Sequence, residues 1–420
     1  MTNAAKTEQV AWWREPTRGQ WMTFLAAWAG WVLDGFDFTI YLLVVPELAK
    51  EFGVSVTVAM GSLTLTLLVR LLGGVVAGML ADRWGRKLPL MLSLIWFAVF
   101  NGLVALAPSF TWVLIFRTLF GFGMGAEWTA GSTLAMENWP ARSRGIASGI
   151  LQGSWAIGFL LAALASAVVV PAWGWRALFL IAVAPALLAL PIRLWVPESQ
   201  EWLRRRAEGA PGTGAKARRG RLPEGVLARL VGASAIMALG FGVYYALTST
   251  YPTLLATEHG LDASERWWLV AMFNIGMLVG AIGCGWAAKR FGVRWAVAIP
   301  ALAVIPVLPL YVGAVSGGLG IGAVLAGMLG VGFCGITPML LTEMFPVEVR
   351  ARCVGLAYHI GAIAAALVVL LIPALYEQNV LGLGVAITVV TAVLELSLAA
   401  AIFAFQRGVP RIPSETVPPP

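Results

Sequence analysis

The chain contains long runs of apolar residues, and a run of roughly 20 is what an α-helix needs to cross the hydrocarbon core of a bilayer. Of its 420 residues, 59% are hydrophobic and only 12% are charged, and the mean hydropathy is +0.83. That composition excludes a soluble globular chain, and the scattered glycines and prolines exclude collagen-like and disordered chains. The chain is therefore predicted to be an all-α integral membrane protein.

Measured against that length, the sequence predicts twelve membrane-spanning helices in two groups of six. They lie near 21–45, 55–80, 88–107, 111–135, 146–170 and 177–196, and then near 226–250, 267–287, 295–313, 319–342, 354–373 and 381–405. The predicted domains are a cytoplasmic tail at 1–20, a six-helix bundle at 21–196, a cytoplasmic linker at 197–225, a second bundle at 226–405 and a disordered tail at 406–420.

The basic residues predict the orientation. Most of the 29 Lys and Arg fall on one side of the predicted spans, while the other side holds only Lys50, Arg176 and Arg266. Because cytoplasmic loops retain Lys and Arg, both termini are expected in the cytoplasm, with the chain in a bacterial inner membrane. The net charge of +8 is thus spread over loops and forms no face typical of nucleic-acid binding.

Several classes of site are not indicated. Cys284, Cys334 and Cys353 lie in hydrophobic segments without metal-ligand spacing, so neither a disulfide nor a metal site is expected. No nucleophile with a base and no phosphate loop appears, which argues against an enzyme and against a cofactor. Most tryptophans lie near span ends, as in an aromatic belt. Trp31 and Trp128 are interpreted as packing residues, with a role in the cavity as the alternative.

Two motifs recur at one offset. GMLADRWGRK at 78–87 returns as GWAAKRFGVR at 285–294, 207 residues later, and ENWPARSR at 137–144 returns as EMFPVEVR at 343–350, 206 residues later. Two separate motifs with nearly the same offset indicate two bundles in parallel repeat. That arrangement places a substrate cavity between the halves.

These motifs resemble those of the major facilitator superfamily. The spaced glycines after Arg117 resemble its fourth-helix motif, and the sequence PES at 197–199 resembles the end of its sixth helix. Within the superfamily, LDGFDF at 33–38, GAEW at 125–128 and WGWRALF at 173–179 are similar to the sialate:proton symporter family, which includes lactate and pyruvate importers. Sialate transporters proper resemble fourteen-span proteins, so the short linker here favours the smaller-acid branch.

Ionisable side chains inside spans are costly, so each is expected to have a partner or a function. The second half has only His359 and Glu395, and Glu395 is interpreted as a packing residue. The first half has five: Asp34, Asp37, Arg70, Arg117 and Glu127. The proton machinery is therefore predicted in the first bundle.

The first-half charges suggest two ion pairs. Asp34 and Asp37 are three residues apart and share one face of their helix. Counted along their predicted spans, Asp37 and Arg117 lie at similar depths in the membrane, and so do Glu127 and Arg70. Asp37 is therefore expected to pair with Arg117 and Glu127 with Arg70, with Asp34 between the two pairs. Asp37 is the predicted proton carrier because its surroundings resemble the first-helix motif of proton-coupled sugar porters. A permanent structural pair is the alternative.

A carboxylate substrate needs a strong donor near midplane, and the planar guanidinium of arginine suits it best. Arg70 is the preferred candidate because Arg117 is expected to be shared with Asp37. The second half contributes further candidates, each of which could equally be interhelical contact: Tyr244, Tyr245, Asn274, Tyr358 and His359.

The 78–87 motif is predicted to be a gate. Asp82 at the end of the second helix is expected near the positive N-terminus of a neighbouring helix, paired with Arg144. The predicted gating residues are Gly78, Asp82, Arg83, Gly85, Arg86 and Arg144.

The function predicted from these features is a proton-coupled symporter that imports a small organic anion, a monocarboxylate such as lactate or pyruvate, by alternating access. The alternatives are a sialic acid, aromatic-acid or sugar symporter, an exporter, or a transceptor that no longer transports. The fifth span lacks the Gly-Pro motif that antiporters of the superfamily share, which favours symport. The expected partners are the anion, protons as the coupling ion, and the bilayer, with the chain a monomer.

Overall fold

A computed structural model of the chain describes residues 11–54, 56–194, 196–208, 225–261 and 263–408. Within these ranges every regular element is a helix, which confirms the predicted all-α class. The helices of the first half are α1 Arg18–Phe52, α2 Val56–Trp84, α3 Lys87–Ala105, α4 Phe110–Asn138, α5 Arg144–Leu194 and α6 Gln200–Ala207. Helix α5 covers the fifth and sixth predicted spans and bends at Gly174, whose φ is 75°.

The second half has nine helices in its described part. They are α7 Val226–Thr248, α8 Tyr251–Thr257, α9 Ala263–Phe291, α10 Val293–Val304, α11 Leu308–Tyr311, α12 Leu319–Gly330, α13 Thr337–Met344, α14 Arg350–Glu377 and α15 Leu383–Gly408. Two predicted spans are interrupted. The first is broken between α10 and α11, where Pro306 and Pro309 lie. Proline has no N–H with which to continue the helical hydrogen bonds.

The other interruption, between α12 and α13, comes from close packing. A Cβ on Gly335 would lie 2.0 Å from the carbonyl oxygen of Ala281 on α9, so only glycine allows this approach. The chain turns more tightly there, over Gly332–Ile336, before α13 begins.

Ten helical stretches of the described chain, some running over two of these helices, are long and apolar enough to cross a membrane. Helix α4, the predicted fourth span, is not one of the ten, and one of the ten, Ala141–Ala184, runs through the kink at Gly174 that separates the fifth and sixth predicted spans. Twelve crossings and the sides of the termini therefore stay predictions. Of the predicted linker, 200–207 form α6, whereas 209–224, and the tails at 1–10 and 409–420, lie outside the described residues.

The pattern of burial is that of a protein surrounded by lipid. Large apolar side chains face outward, with Leu72 58%, Val168 60% and Leu367 70% exposed. In contrast, Asp34 and Arg117 are completely buried. This inversion of the usual distribution is what a hydrocarbon solvent favours.

The two halves meet along two helix pairs, α2 with α14 and α5 with α9. At the second contact, a Cβ on Gly285 of α9 would lie 2.1 Å from the carbonyl oxygen of Gly145 on α5. Backbones that approach this closely require small residues. The halves are therefore in direct contact at the end of the bundle where α5 begins and α9 ends, which we call the latch end.

Candidate functional site

Arg70 lies on α2 and is 5% exposed. Its guanidinium carbon is 5.7 Å from the ring centroid of Trp31 and 5.5 Å from that of Tyr358. The ring faces stabilise the positive charge, but they provide no acceptor for the N–H groups in the plane of the guanidinium. Nε and Nη2, which share one edge of the guanidinium, have no hydrogen-bond partner among the residues the structure describes. Arg70 thus presents two buried donors on one edge.

Aromatic rings from both bundles surround this guanidinium. Trp128 of α4 stacks on Tyr358 of α14 with ring centroids 3.5 Å apart, and Trp31 lies 5.0 Å from Trp155 of α5. Phe241 of α7 packs edge-on against Tyr358 at 4.8 Å. We call Trp31, Trp128, Trp155, Phe241 and Tyr358 the aromatic cluster. It joins the two halves at the position where the parallel repeat predicts a cavity.

The other predicted substrate residues differ in their distance from this cluster. His359 contacts it, and its Nε2 lies 3.3 Å from the carbonyl oxygen of Gly125. Tyr245 stacks on Phe241, and Tyr244 contacts Tyr245. Asn274 instead donates to the carbonyl oxygen of Val270 on its own helix. The structure therefore brings Arg70, Tyr358 and His359 together, with Tyr244 and Tyr245 at the edge.

Arg117 belongs to a separate cluster. Its guanidinium carbon is 4.2 Å from the ring centroid of Phe120 and 4.6 Å from that of Tyr41, and Nη1 donates to Asn101 Oδ1 and to the main-chain oxygen of Asp37, both at 3.3 Å. The predicted side-chain ion pair between Asp37 and Arg117 is thus wrong in this conformation. The amide of Asn101 and a main-chain carbonyl take the place of the carboxylate.

Asp37 and Asp34 are both buried acids of α1. Asp37 Oδ1 and both carboxylate oxygens of Asp34 have no hydrogen-bond partner in the described part of the chain. The charged groups whose fields reach Asp34 are Arg70, Glu127, Asp37 and Arg117. Asp34 therefore lies between the two arginine clusters, as the helix spacing predicts.

Glu127 is not the salt-bridge partner of Arg70. Its Oε2 accepts a hydrogen bond from Ser93 Oγ at 2.8 Å. Among the described residues no salt bridge joins Glu127 to Arg70. The predicted pair is therefore wrong, because the rings of Trp31 and Tyr358 hold the guanidinium instead.

At the latch end, Asp82 of α2 bonds to the second bundle. Its carboxylate oxygens accept from the main-chain N–H groups of Ala351 and Arg352, at 3.2 and 3.1 Å, in the first turn of α14. A carboxylate there interacts favourably with the positive end of the helix dipole. The expected pair of Asp82 with Arg144 is wrong, because Arg144 lies 3.3 Å from Glu343 and forms its own bridge between the halves.

Arg86 is the buried centre of this latch. Nε and Nη2 donate to the two oxygens of Glu137 at 3.1 Å, and Nη2 donates to the main-chain oxygen of Val347. Burial tends to lower the pKa of Arg86, but the carboxylates beside it, Glu137 foremost, raise the pKa above its ordinary value. Arg350 of α14 bridges Glu137 and Glu201 at 3.2 and 2.9 Å. The latch is a charged network across both halves.

The start of the predicted linker supports the latch. Glu198 accepts hydrogen bonds from the main-chain N–H groups of Arg86 and Lys87, at 2.8 and 3.1 Å. The tight turn before them needs Gly85, whose φ is 102°. Trp202 of α6 is buried and donates to the main-chain oxygen of Asp82. The position of Trp202 in a charged linker gives no sequence signal of this buried contact.

Two further gate residues differ in position. A Cβ on Gly78 would lie 2.6 Å from Cα of Arg352, so α2 and α14 touch there through their backbones. Arg83 lies outside the latch, with its guanidinium carbon 5.3 Å from the ring centroid of Trp84.

The glycine contact at the latch end makes a testable prediction. Gly285→Val places a side chain where α5 and α9 touch and should separate the bundles, whereas a Cβ on Gly283, two residues earlier, meets nothing within 4 Å. Cys353, fully buried in α14, reports the separation. We expect maleimide labelling of Cys353, located by mass spectrometry, to be about tenfold faster in Gly285→Val and unchanged in Gly283→Val. Equal rates in the two variants would show that the contact does not hold the latch closed.

Comparison with known proteins gives a family match across most of the chain. The sequence model of the Major Facilitator Superfamily matches residues 27–369. The chain is 29% identical to the sialic acid transporter NanX of Escherichia coli over 91% of this chain and 93% of that protein. It is 32% identical to a probable 4-methylmuconolactone transporter of Cupriavidus pinatubonensis over 84% of this chain and 82% of that protein.

Among solved structures, the proton:xylose symporter XylE superimposes with a TM-score of 0.76, at 19% identity, over 93% of this chain and 96% of that chain. At that level of identity the likeness concerns the fold alone.

Proposed function

Since the chain belongs to the Major Facilitator Superfamily, a family of multi-pass membrane transporters, we propose that it imports a cyclic organic acid anion together with protons. The family match confirms the superfamily membership that the sequence motifs suggest. The observation that carries the proposal is the buried edge of the Arg70 guanidinium beside the aromatic cluster, which has no hydrogen-bond partner in the described part of the chain.

The edge of Arg70 fits a carboxylate. Nε–H and Nη2–H point in parallel, and a carboxylate accepts both in a bidentate arrangement. Buried donors without acceptors are costly, so a ligand that satisfies both donors gains affinity. A neutral sugar has no group that matches this charge. The site therefore favours an anion over a hexose.

The rings favour a cyclic body for that anion. The Arg70 guanidinium lies over the rings of Trp31 and Tyr358, and flat aromatic faces pack well against a ring. The relatives named above, for sialic acid and for 4-methylmuconolactone, support the same class. Lactate and pyruvate have no ring to fill such a site. We therefore prefer a sialic or aromatic acid to a small monocarboxylate, which is the second candidate.

The unpaired acids support proton coupling. Burying an ionised carboxylate without hydrogen bonds costs on the order of several kcal/mol of free energy, and binding a proton removes that cost. Among the described residues, Asp34 has no hydrogen-bond partner on either carboxylate oxygen and Asp37 has none on Oδ1, and both acids lie on α1 with the substrate residue Trp31. When the site opens to water, the same acids can release the proton. Asp37 stays the proposed carrier.

The latch supports transport by alternating access. While Asp82, Arg86 and Glu137 hold the latch end closed, the opposite end of the bundle can open. When this network breaks, the latch end opens and the opposite end closes. We place the protein in the bacterial inner membrane, as a monomer with cytoplasmic termini, with the latch on the cytoplasmic side.

A substrate screen tests the class. Proteoliposomes with an inward proton gradient are supplied with labelled sialic acid, 4-hydroxybenzoate, lactate, pyruvate or glucose, and empty liposomes serve as the control. We expect saturable accumulation of a cyclic acid that excess lactate does not inhibit. Accumulation of lactate or pyruvate alone would replace the cyclic class with the small-acid class, and accumulation of none of the acids would contradict the proposal.

A further inference from the structure

A small pocket lies next to the aromatic cluster, between α1, α4 and α5. It has room for roughly one water-sized group. That size excludes a ring or a carboxylate. Its lining consists of Ala27, Trp31, Glu127, Trp128, Gly131, Ser132 and Leu151.

Two polar side chains that line this pocket each have a buried atom with no hydrogen-bond partner among the described residues. Trp31 and Ser132 are each 4% exposed, and neither Trp31 Nε1 nor Ser132 Oγ has a hydrogen-bond partner within the described ranges. Glu127 is also buried, and its Oε2 is already an acceptor for Ser93. The pocket therefore combines an indole donor, a hydroxyl that can donate or accept, and a carboxylate acceptor.

Size and hydrogen-bonding capacity together restrict what can enter. The pocket is too small for a carboxylate, so the acid group of a substrate is left to Arg70. A group that both donates and accepts hydrogen bonds can accept from Trp31 Nε1 and donate to Ser132 Oγ. A hydroxyl has that capacity and the required size.

We propose that this pocket is a hydroxyl-recognition subsite, so that the transported acids are hydroxylated cyclic acids. Trp31 links the two parts of the site, because its ring faces Arg70 at 5.7 Å while the same side chain lines the pocket. The substrate carboxylate binds Arg70, its ring packs on the aromatic cluster, and one hydroxyl enters the pocket. This inference rests on the proposed function and specifies the substrate of the same site.

The test compares the affinities of benzoate and 4-hydroxybenzoate for the purified full-length protein by titration calorimetry. A site built to bind a hydroxyl disfavours the analogue that lacks it, so the wild type should prefer 4-hydroxybenzoate by at least about tenfold. Ser132→Ala and Trp31→Phe should reduce that ratio to about threefold or less. In Ser132→Ala the affinity for benzoate itself should stay unchanged.

A control variant keeps the test specific. Ser154→Ala removes a buried hydroxyl of α5 that donates to its own helix and does not line the pocket. It should keep the wild-type ratio. Equal binding of the two acids by the wild type, or an unchanged ratio in Ser132→Ala and Trp31→Phe, would overturn the subsite and leave the proposed function standing. Binding of neither acid would overturn the subsite, and the uptake screen would then decide the proposed function independently.

Discussion

Arg70→Gln is expected to lower the affinity for the transported acid by about two orders of magnitude. The substitution removes the positive charge and one of the two parallel donors, and a hydrogen bond between charged groups contributes about 1.5–3 kcal/mol. Loss of about 3 kcal/mol corresponds to roughly a hundredfold change in the dissociation constant. The measurement is the KM of uptake in proteoliposomes, with binding by calorimetry beside it.

Arg70→Lys separates charge from geometry. Lysine keeps the charge but cannot form the bidentate pair, so its affinity should lie between those of the wild type and Arg70→Gln. Arg83→Gln is the matched control, because Arg83 lies outside the substrate site. A wild-type KM for Arg70→Gln would mean that the acid binds elsewhere, with Arg117 as the next candidate.

Asp37→Asn is expected to abolish accumulation against a gradient while leaving exchange of labelled for unlabelled acid within about threefold of the wild type. Asparagine keeps the size and polarity of the side chain but cannot carry a proton. The bond from Arg117 to the main-chain oxygen of Asp37 survives the change, so the helix contact should persist. Counterflow and gradient-driven uptake, measured on the same proteoliposomes, separate the two activities.

Asp34→Asn is the companion variant, since Asp34 is the other buried acid of α1. Uncoupling in Asp34→Asn with normal coupling in Asp37→Asn would move the proton carrier one helical turn towards Arg70. Loss of exchange in Asp37→Asn would instead indicate a structural role for its carboxylate, which is the alternative that the sequence left open.

The fold could be predicted in most respects from hydropathy and repeats. The apolar runs locate the helices, and the duplicated motifs indicate two related halves. The break at Gly332–Ile336 was not predictable, because hydropathy does not report where two backbones touch.

The candidate site was predicted in its residues more than in its contacts. Costly charges within spans identify Asp34, Asp37, Arg70 and Arg117, but helix depth says nothing about which competing group faces an arginine. Asn101 and the rings of Trp31 and Tyr358 therefore replaced the expected carboxylates. The stack of Trp128 on Tyr358 joins residues from opposite halves, and a mid-span tryptophan was its only signal in the sequence.

Proton movement that accompanies acid uptake tests the central claim most directly. Proteoliposomes that contain a pH-sensitive dye are given the labelled acid with no imposed pH gradient, so that any proton flux is driven by the acid itself. The account predicts acidification of the lumen that rises with acid uptake in the wild type and is lost in Asp37→Asn and in Arg70→Gln. Uptake of the acid by the wild type without acidification beyond that of empty liposomes would contradict proton-coupled import.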